Sequence, residues 1–481
     1  MIIEINTLLG LFRNCFSRSA PFAWFVIMVF GFMVRLDHQG VTSMVRWLGL
    51  DVSCYRTLLA FFRADSWRLS ALQRKWQEIV ISHVPAVTID KRRVMIGDGI
   101  KLSKEAEKMP GVKKLHQESD NSGKAPYIQG HHFGVLGLLA GHFAQKLFCI
   151  PLCAELHEGV ETLRQMQHKQ APLLNGQPKT SVTTLMAAMA VDRITTMACQ
   201  TIVTLDAYFA VGPVFLLLKQ ATDATGQRLA HLVTRAKSNV VAYEDPPPRT
   251  GRLSAPKKLG DKVKLSVLFS QYPGLFQTAT IDTYGKKRVI RFLVKDLIWK
   301  PVREKIRFVL VIDGTNRFIL MCSDLSLSPE NIINVYGYRF KIEVTFKALK
   351  HLMGAFYYHF WTDAWPKIGN STESDLSHCQ ATYPRLLISQ TLDAIEGFVN
   401  LACIATGILQ ILSIQFHDTI WYRYRGWLRT ISSTIPSEET VKLVVQQEFY
   451  HNFRSFKNTA IYRIIMTRKR TSFAVNLPRA A

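Results

Sequence analysis

The chain has 481 residues, 48% of them hydrophobic, and 60 Lys and Arg stand against 36 Asp and Glu for a formal net charge of +24. That length exceeds one small core and predicts roughly three domains or one with large insertions. The basic excess is more than solubility requires and points to a polyanionic partner, nucleic acid or an acidic membrane, while eight scattered cysteines without a CxxC pair exclude a dense disulfide framework and fit a reducing cytosol.

Residues 1–90 read as helical. Their apolar run "PFAWFVIMVFGFMV", Pro21 to Val34, is short of the ~20 residues a bilayer span needs and is expected as a buried helix. Gly397 to Ile414, interrupted by Asn400 and Gln410, is read the same way. "VTSMVRWLGLDVSCYRTLLAFF" predicts two short helices about Gly49, either a helix-turn-helix with Arg56 and Arg63 on its second helix or a plain bundle. From Lys91 the texture changes to strands: "RRVMIGDGI", "GVKKLHQES" and "YIQGHHFGVLGLLA" are successive candidates opening a meander. The second runs into the Ser/Gly/Asn-rich turn Glu118 to Pro126. Helix is expected from about Gly141 to Met197. Cys149, Cys153 and His157 fall at i, i+4, i+8 within it, and without an evident fourth ligand they are read as packing residues rather than a zinc site. "QTIVTLDAYFAVG" is a buried strand ending at Asp206, before the Gly212-Pro213 break.

After the "EDPPPRTG" punctuation, a β-rich block over Ser238 to Leu327 includes "KVKLSVLFS", "KRVIRFLV" and the hairpin "IRFVLVIDGTNRFILMCS", which turns at Asp313-Gly314. Ala207 to Glu343 holds 22 basic and 11 acidic residues, so nearly half of the positive excess lies there. Ser328-Pro329-Glu330 is a helix start, and the remainder is helical.

The helix that follows contains "YGYRFKIEVTFKALK". At ~100° per residue, Tyr336, Arg339, Glu343 and Lys350 project from one side and Ile342, Phe346, Leu349 and Met353 from the other. Ion pairs such as Arg339 with Glu343 are ordinary on a solvated helix. More telling is that Asp98 stands between Gly97 and Gly99 at the end of the first strand and Asp206 ends a later one. With Glu343, these acids can converge at one sheet edge. In-line displacement at a phosphodiester is served by two divalent ions about 3.5–4 Å apart, and magnesium takes hard carboxylate oxygens. Two Asp and one Glu suffice as protein ligands, leaving Tyr336, Arg339 and Lys350 for neighbouring phosphates.

Tyr336, Arg339, Glu343 and Lys350 match without a gap the YREK signature of bacterial insertion-sequence transposases of the DDE superfamily, and "VMIGDGI" and "IVTLDAYFAVG" resemble the segments bearing that family's two aspartates. The resemblance covers about Lys91 to Met353. It implies an α/β fold: an RNase H-like catalytic core interrupted by a β-rich insertion and flanked by N- and C-terminal helical regions. The expected divisions are 1–90 for DNA binding, 91–237 and 328–380 for the core, 238–327 for the insertion and 381–481 for the C-terminal helices. It further implies Asp98, Asp206 and Glu343 as catalytic and metal-binding acids with magnesium, manganese being an alternative ion. Tyr336, Arg339 and Lys350 would bind DNA. Partners would be the element's terminal inverted repeats and target DNA, engaged by a homodimer in the bacterial cytoplasm at the nucleoid, without a membrane. In hairpin-forming members a tryptophan of the insertion stacks on a flipped base; Trp299, alone between Asp206 and Glu343, is the candidate, although "VKDLIWKPVREK" equally suits a packing aromatic. A DNA-binding or architectural protein that has lost cleavage is the competing expectation. A membrane-associated protein, resting on Pro21 to Val34 alone, is a third.

Overall fold

The computed structural model describes residues 1–117, 123, 125–142, 146–157, 173–174, 177–178, 181–248, 257–283, 286–365, 382–428 and 434–469. Most of the expected Glu118–Pro126 turn, part of "EDPPPRTG" and residues 158–172 of the expected helix lie outside them.

Val94 and Ile96 side with one hydrophobic layer and Met95, between them, with the other, as the two-residue period of a strand covered on both faces requires. This strand, β1 (Arg92–Ser103), pairs antiparallel with β2 (Tyr127–Gly141), which pairs with β3 (Leu147–Leu156). On its other side β1 runs parallel to β4 (Thr201–Leu205), and β4 parallel to β5 (Ala230–Arg235). Beyond β5 the ladder continues antiparallel through β8 (Asn316–Cys322), β7 (Glu304–Asp313) and β6 (Lys286–Trp299). The order β3-β2-β1-β4-β5-β8-β7-β6, with shorter strands at its margins, makes a sheet of 13 strands among the described residues. The β-rich block is thus hydrogen-bonded into the central sheet, with Leu320 opposite Arg235. The Asp313-Gly314 hairpin forms as expected between β7 and β8, with Gly314 at φ +58°.

Leu147 to Leu156 corrects the expected helix. Pro151 cannot continue a helix but is tolerated at a bulge on an edge strand, and the β2·β3 register skips Leu152 between Leu136 and Gly137. The consequence for the Cys149/Cys153 pattern is direct: the bulge sends the two thiols into opposite layers, and neither can share a metal with the other.

An edge strand exposes unpaired backbone groups, and β3 is covered by side chains from three helices. Asn400 Oδ1 accepts from Ala154 N (3.0 Å) while its Nδ2 donates to Ala154 O (2.7 Å); Glu396 Oε1 accepts from Leu156 N (2.9 Å). Trp76 Nε1 donates to Pro151 O (2.8 Å), and Thr345 Oγ1 to Cys149 O (2.6 Å). Asn400 and Glu396 belong to the 34-residue helix Thr382–Gln415; of its two polar interruptions Asn400 closes the sheet edge, while Gln410 donates to Glu438 Oε1 (2.9 Å). By length and composition this helix could cross a membrane, yet almost all of its apolar window is enclosed by protein. The apolar run near the N-terminus is the helix Ser19–Val34, buried around its circumference over Phe25–Val34. Gly40–Leu48 and Cys54–Phe62 are the two short helices expected about Gly49, which has φ +64°.

Candidate active site

Asp98 lies within β1, opposite Val135 of β2, rather than at its end; the long β2 carries β1 on to Ser103. What ends near Asp98 is the pairing with β4, whose last matched pair is Ile96 with Thr204. Two residues further along both strands stand Asp98 and Asp206, on strands that parallel pairing holds ~4.8 Å apart. Asp206 leaves the strand: its Oδ1 accepts from Ala207 N (2.7 Å), capping the short turn Ala207–Phe209, and its carbonyl accepts from Thr234 Oγ1 (2.8 Å). Asp98 Oδ1 accepts from Gly99 N (2.8 Å).

The segment bearing Glu343 begins as expected, with Ser328 Oγ accepting from Asn331 N (3.2 Å), but it is not one uninterrupted α-helix. The helix Pro329–Gly337 tightens at Tyr338–Arg339, where Arg339 N bonds Tyr336 O and Ile342 N bonds Arg339 O, before Phe340–Lys347 resumes and Ala348–Leu352 widens into a π-turn. Ile342, Leu349 and Met353 are buried as the stripe predicted. The tightened turn alters what Arg339 reaches. Its Nη1 donates to Asp98 Oδ2 (3.0 Å) and its Nη2 to Glu343 Oε1 (2.8 Å), so one guanidinium joins the first and third acids.

Burial raises the Asp98 carboxyl to about 6; Arg339 and the Gly99 N–H oppose that rise, and the charges of Asp206 and Glu343 add to it. Burial works against the Arg339 cation, yet Asp98, Asp206 and Glu343 outweigh it and hold its pKa above the usual value. The Tyr336 hydroxyl is raised by burial and then by Asp206. Asp98, Asp206, Glu343, Arg339 and Tyr336 therefore share one electrostatic neighbourhood. Asp98 and Arg339 are each 19% exposed and Glu343 43%, a gradient from sheet to solvent along which a substrate can approach. Lys350 stands exposed on the π-turn.

Trp299 is not brought to these groups by any contact. It is 7% exposed, its ring lies 5.1 Å from Phe215 edge-on, and it belongs to the main core, so the packing alternative describes it. A residue the sequence did not single out is Arg235: it follows Thr234, the partner of Leu205, its guanidinium lies over the Phe318 ring, and its charge acts on Tyr336. Only the parallel register of β4 and β5 reveals it.

Among the described residues no three His, Cys, Asp or Glu side chains already form a metal-holding group. The donor set nevertheless suits a hard divalent cation: a desolvated carboxyl with two others near enough to raise its pKa needs positive charge, and Arg339 supplies it here. Cation binding by these acids would require Arg339 to give way.

A mixed α/β sheet with aspartates beside each other on parallel strands, and a glutamate on a helix laid over them, is consistent with the fold of DDE nucleases. A family model described as DDE superfamily endonuclease matches residues 11–291, more than half of the chain. The chain belongs to this family, whose enzymes act on DNA and generally use divalent metal ions, typically magnesium. The match includes Asp98 and Asp206 and stops before Glu343, so the third acid rests on geometry. No curated protein matches the chain.

Proposed function

We propose that this chain is a cut-and-paste transposase of the YREK type, built on an RNase H-like core with a β-rich insertion, in which Asp98, Asp206 and Glu343 are the catalytic acids. The observation that carries the proposal is the Arg339 bridge between Asp98 and Glu343, with Asp206 at the neighbouring strand position. Two divalent ions held by the three carboxylates, magnesium or manganese, would activate the attacking oxygen and stabilise the leaving one. Asp98 and Asp206 are held by backbone N–H groups from the residues that follow them, which orients their remaining oxygens. Arg339, Tyr336 and Lys350 bind the phosphates flanking the scissile bond. Hydrolysis of one strand leaves a 3′-hydroxyl; its attack on the opposite strand makes a hairpin, which is reopened before joining to target DNA. A homodimer pairs the two terminal inverted repeats, in the bacterial cytoplasm at the nucleoid.

The test is nicking of a plasmid carrying the DNA that flanks the coding region, with magnesium and then manganese. Asp98→Asn, Asp206→Asn and Glu343→Gln should each reduce nicking by about 10³-fold or more while binding of the flanking ends persists in gel-shift. Undiminished nicking by any variant removes that residue from the triad.

A further inference from the structure

Three basic side chains from three parts of the chain, Arg35 and Lys442 buried and Lys104 half-buried, converge on the backbone just beyond Glu343. Arg35, wholly buried at the end of the helix Ser19–Val34, donates through Nη2 to Met353 O and to Gly354 O (3.0 Å) and through Nη1 to Gly40 O (3.2 Å). Lys442, 5% exposed on the helix Glu438–Asn452, donates to Leu352 O (2.7 Å). Lys104, just past β1, donates to Phe356 O, approaches Tyr358 O (3.5 Å) and lies 3.6 Å from the Tyr358 ring centroid. Carbonyl oxygens and an aromatic face, not carboxylates, receive these charges.

The local backbone explains why donors are wanted there. A helix ends with unsatisfied carbonyls, and the π-turn changes which of them are closed: Met353 N reaches Ala348 O and Ala355 N reaches Leu349 O, leaving the Met353 carbonyl to Arg35 and the Leu352 carbonyl to Lys442 and His38. Gly354 is required on two counts, a φ of +62° and an added Cβ that would lie 2.7 Å from Arg35 Nη2. Three long side chains from separate parts of the chain, all donating to carbonyls within Leu352–Tyr358, restrain this stretch as well as satisfying it. The stiffened element is the arm on which Arg339 and Glu343 are mounted. Arg35 and Lys442 also tie that arm to the helical regions on either side of the core, and Gln446 and Tyr450 of the same C-terminal helix bond the Val34 carbonyl.

We infer that Arg35, Lys104 and Lys442 are positioning residues: a clamp on Leu352–Tyr358 that fixes the Glu343 arm over Asp98 and Asp206 and links its placement to the flanking helices. The catalytic part of this inference rests on the proposed transposase function. The clamp itself does not. Lys442→Met and Lys104→Met keep side-chain length and remove the donor; Arg35→Lys keeps a cation where full removal threatens folding.

Hydrogen exchange measured by mass spectrometry on the full chain should show amides of Phe340–Leu352 exchanging about tenfold faster in Lys442→Met, with the β1–β2 ladder unchanged and Lys442→Arg restoring protection. Single-turnover cleavage should fall by about 10²-fold, the cost of a small misplacement, while the Kd for end DNA changes less than about twofold. Unaltered exchange over Phe340–Leu352 overturns the clamp, whether or not the chain cuts DNA. Faster exchange with unaltered cleavage overturns its positioning role. A parent protein that cuts no DNA defeats the transposase proposal, and the exchange result still judges the clamp.

Discussion

Gly97 and Gly99 flank Asp98 where neighbouring side chains pack close to the strand. A Cβ at position 97 would lie 2.7 Å from Leu136 and 2.8 Å from Leu205, and one at position 99 would lie 2.3 Å from His132 Nε2. The acid thus projects toward the Glu343 arm from a strand whose opposite face, at positions 97 and 99, is filled by Leu136, Leu205 and His132. That pattern was visible in "IGDGI" as an acid between glycines; the close packing around the glycines was not, because Leu136, Leu205 and His132 reach them through pairing that sequence spacing does not encode. Arg339 shows the same division. Its i,i+4 partnership with Glu343 is plain from the helical period, whereas its bond to Asp98, 241 positions away, needed the fold. For Trp299, burial against Phe215 sets the expectation: Trp299→Ala should destabilise by about 3–5 kcal/mol, read as a lower midpoint in urea, while molecules that remain folded still nick. A variant that nicks normally, melts like the parent and fails only at hairpins would return this ring to the DNA.

The helix expected over Leu147–Leu156 shows what a local pattern can hide. Cysteines at i and i+4 within an apolar run satisfy a helical template, but Pro151 and the missing edge of the meander were the better guides, since β2 needs a second partner. Conversely, Asn400 looked like an interruption of an apolar helix, and its function became clear only when Ala154 was found against it. Elements also differ in their response to pH. Lys442 has a pKa lowered by burial, and then by Arg35, from 10.5 to about 7, with Glu439 opposing and His38 nearby. Between pH 7 and 10.5 the unfolded chain therefore carries a proton on Lys442 that the folded chain lacks. Stability contributed at this position rises with pH through that window, by at most about 1.4 kcal/mol per unit, and its full cost is present below pH 7. Urea midpoints at pH 7, 8 and 9 should climb less steeply in Lys442→Met than in the parent; parallel slopes would mean the lysine stays charged in the fold.

At the scale of the whole molecule, strand order and charge were legible in unequal measure. The succession of meander, strand, β-rich block and helix anticipated the central sheet, because each strand carries its own apolar period. That the block would continue the same ladder through Leu320 and Arg235 was not legible, since the pairing depends on where β5 ends in space. The +24 charge predicts strong salt dependence of DNA binding, and the exposed Lys350 and the Arg339 guanidinium are expected contributors. Replacing either by Ala should lower the slope of log K against log salt by about 0.9, measured by anisotropy with a labelled end duplex. An unchanged slope rejects the phosphate contact.

The guanidinium lodged between Asp98 and Glu343 has a bearing on the order in which partners arrive. Three bare carboxylates would repel a polyanion until metal reached them. Under the proposed function, an internal counterion already in place would let the free protein receive duplex first, and an incoming phosphate would draw Arg339 away from the acids as it docks. The departure of that side chain would then open the oxygens to magnesium only where DNA is present, leaving an idle molecule poorly equipped to cut.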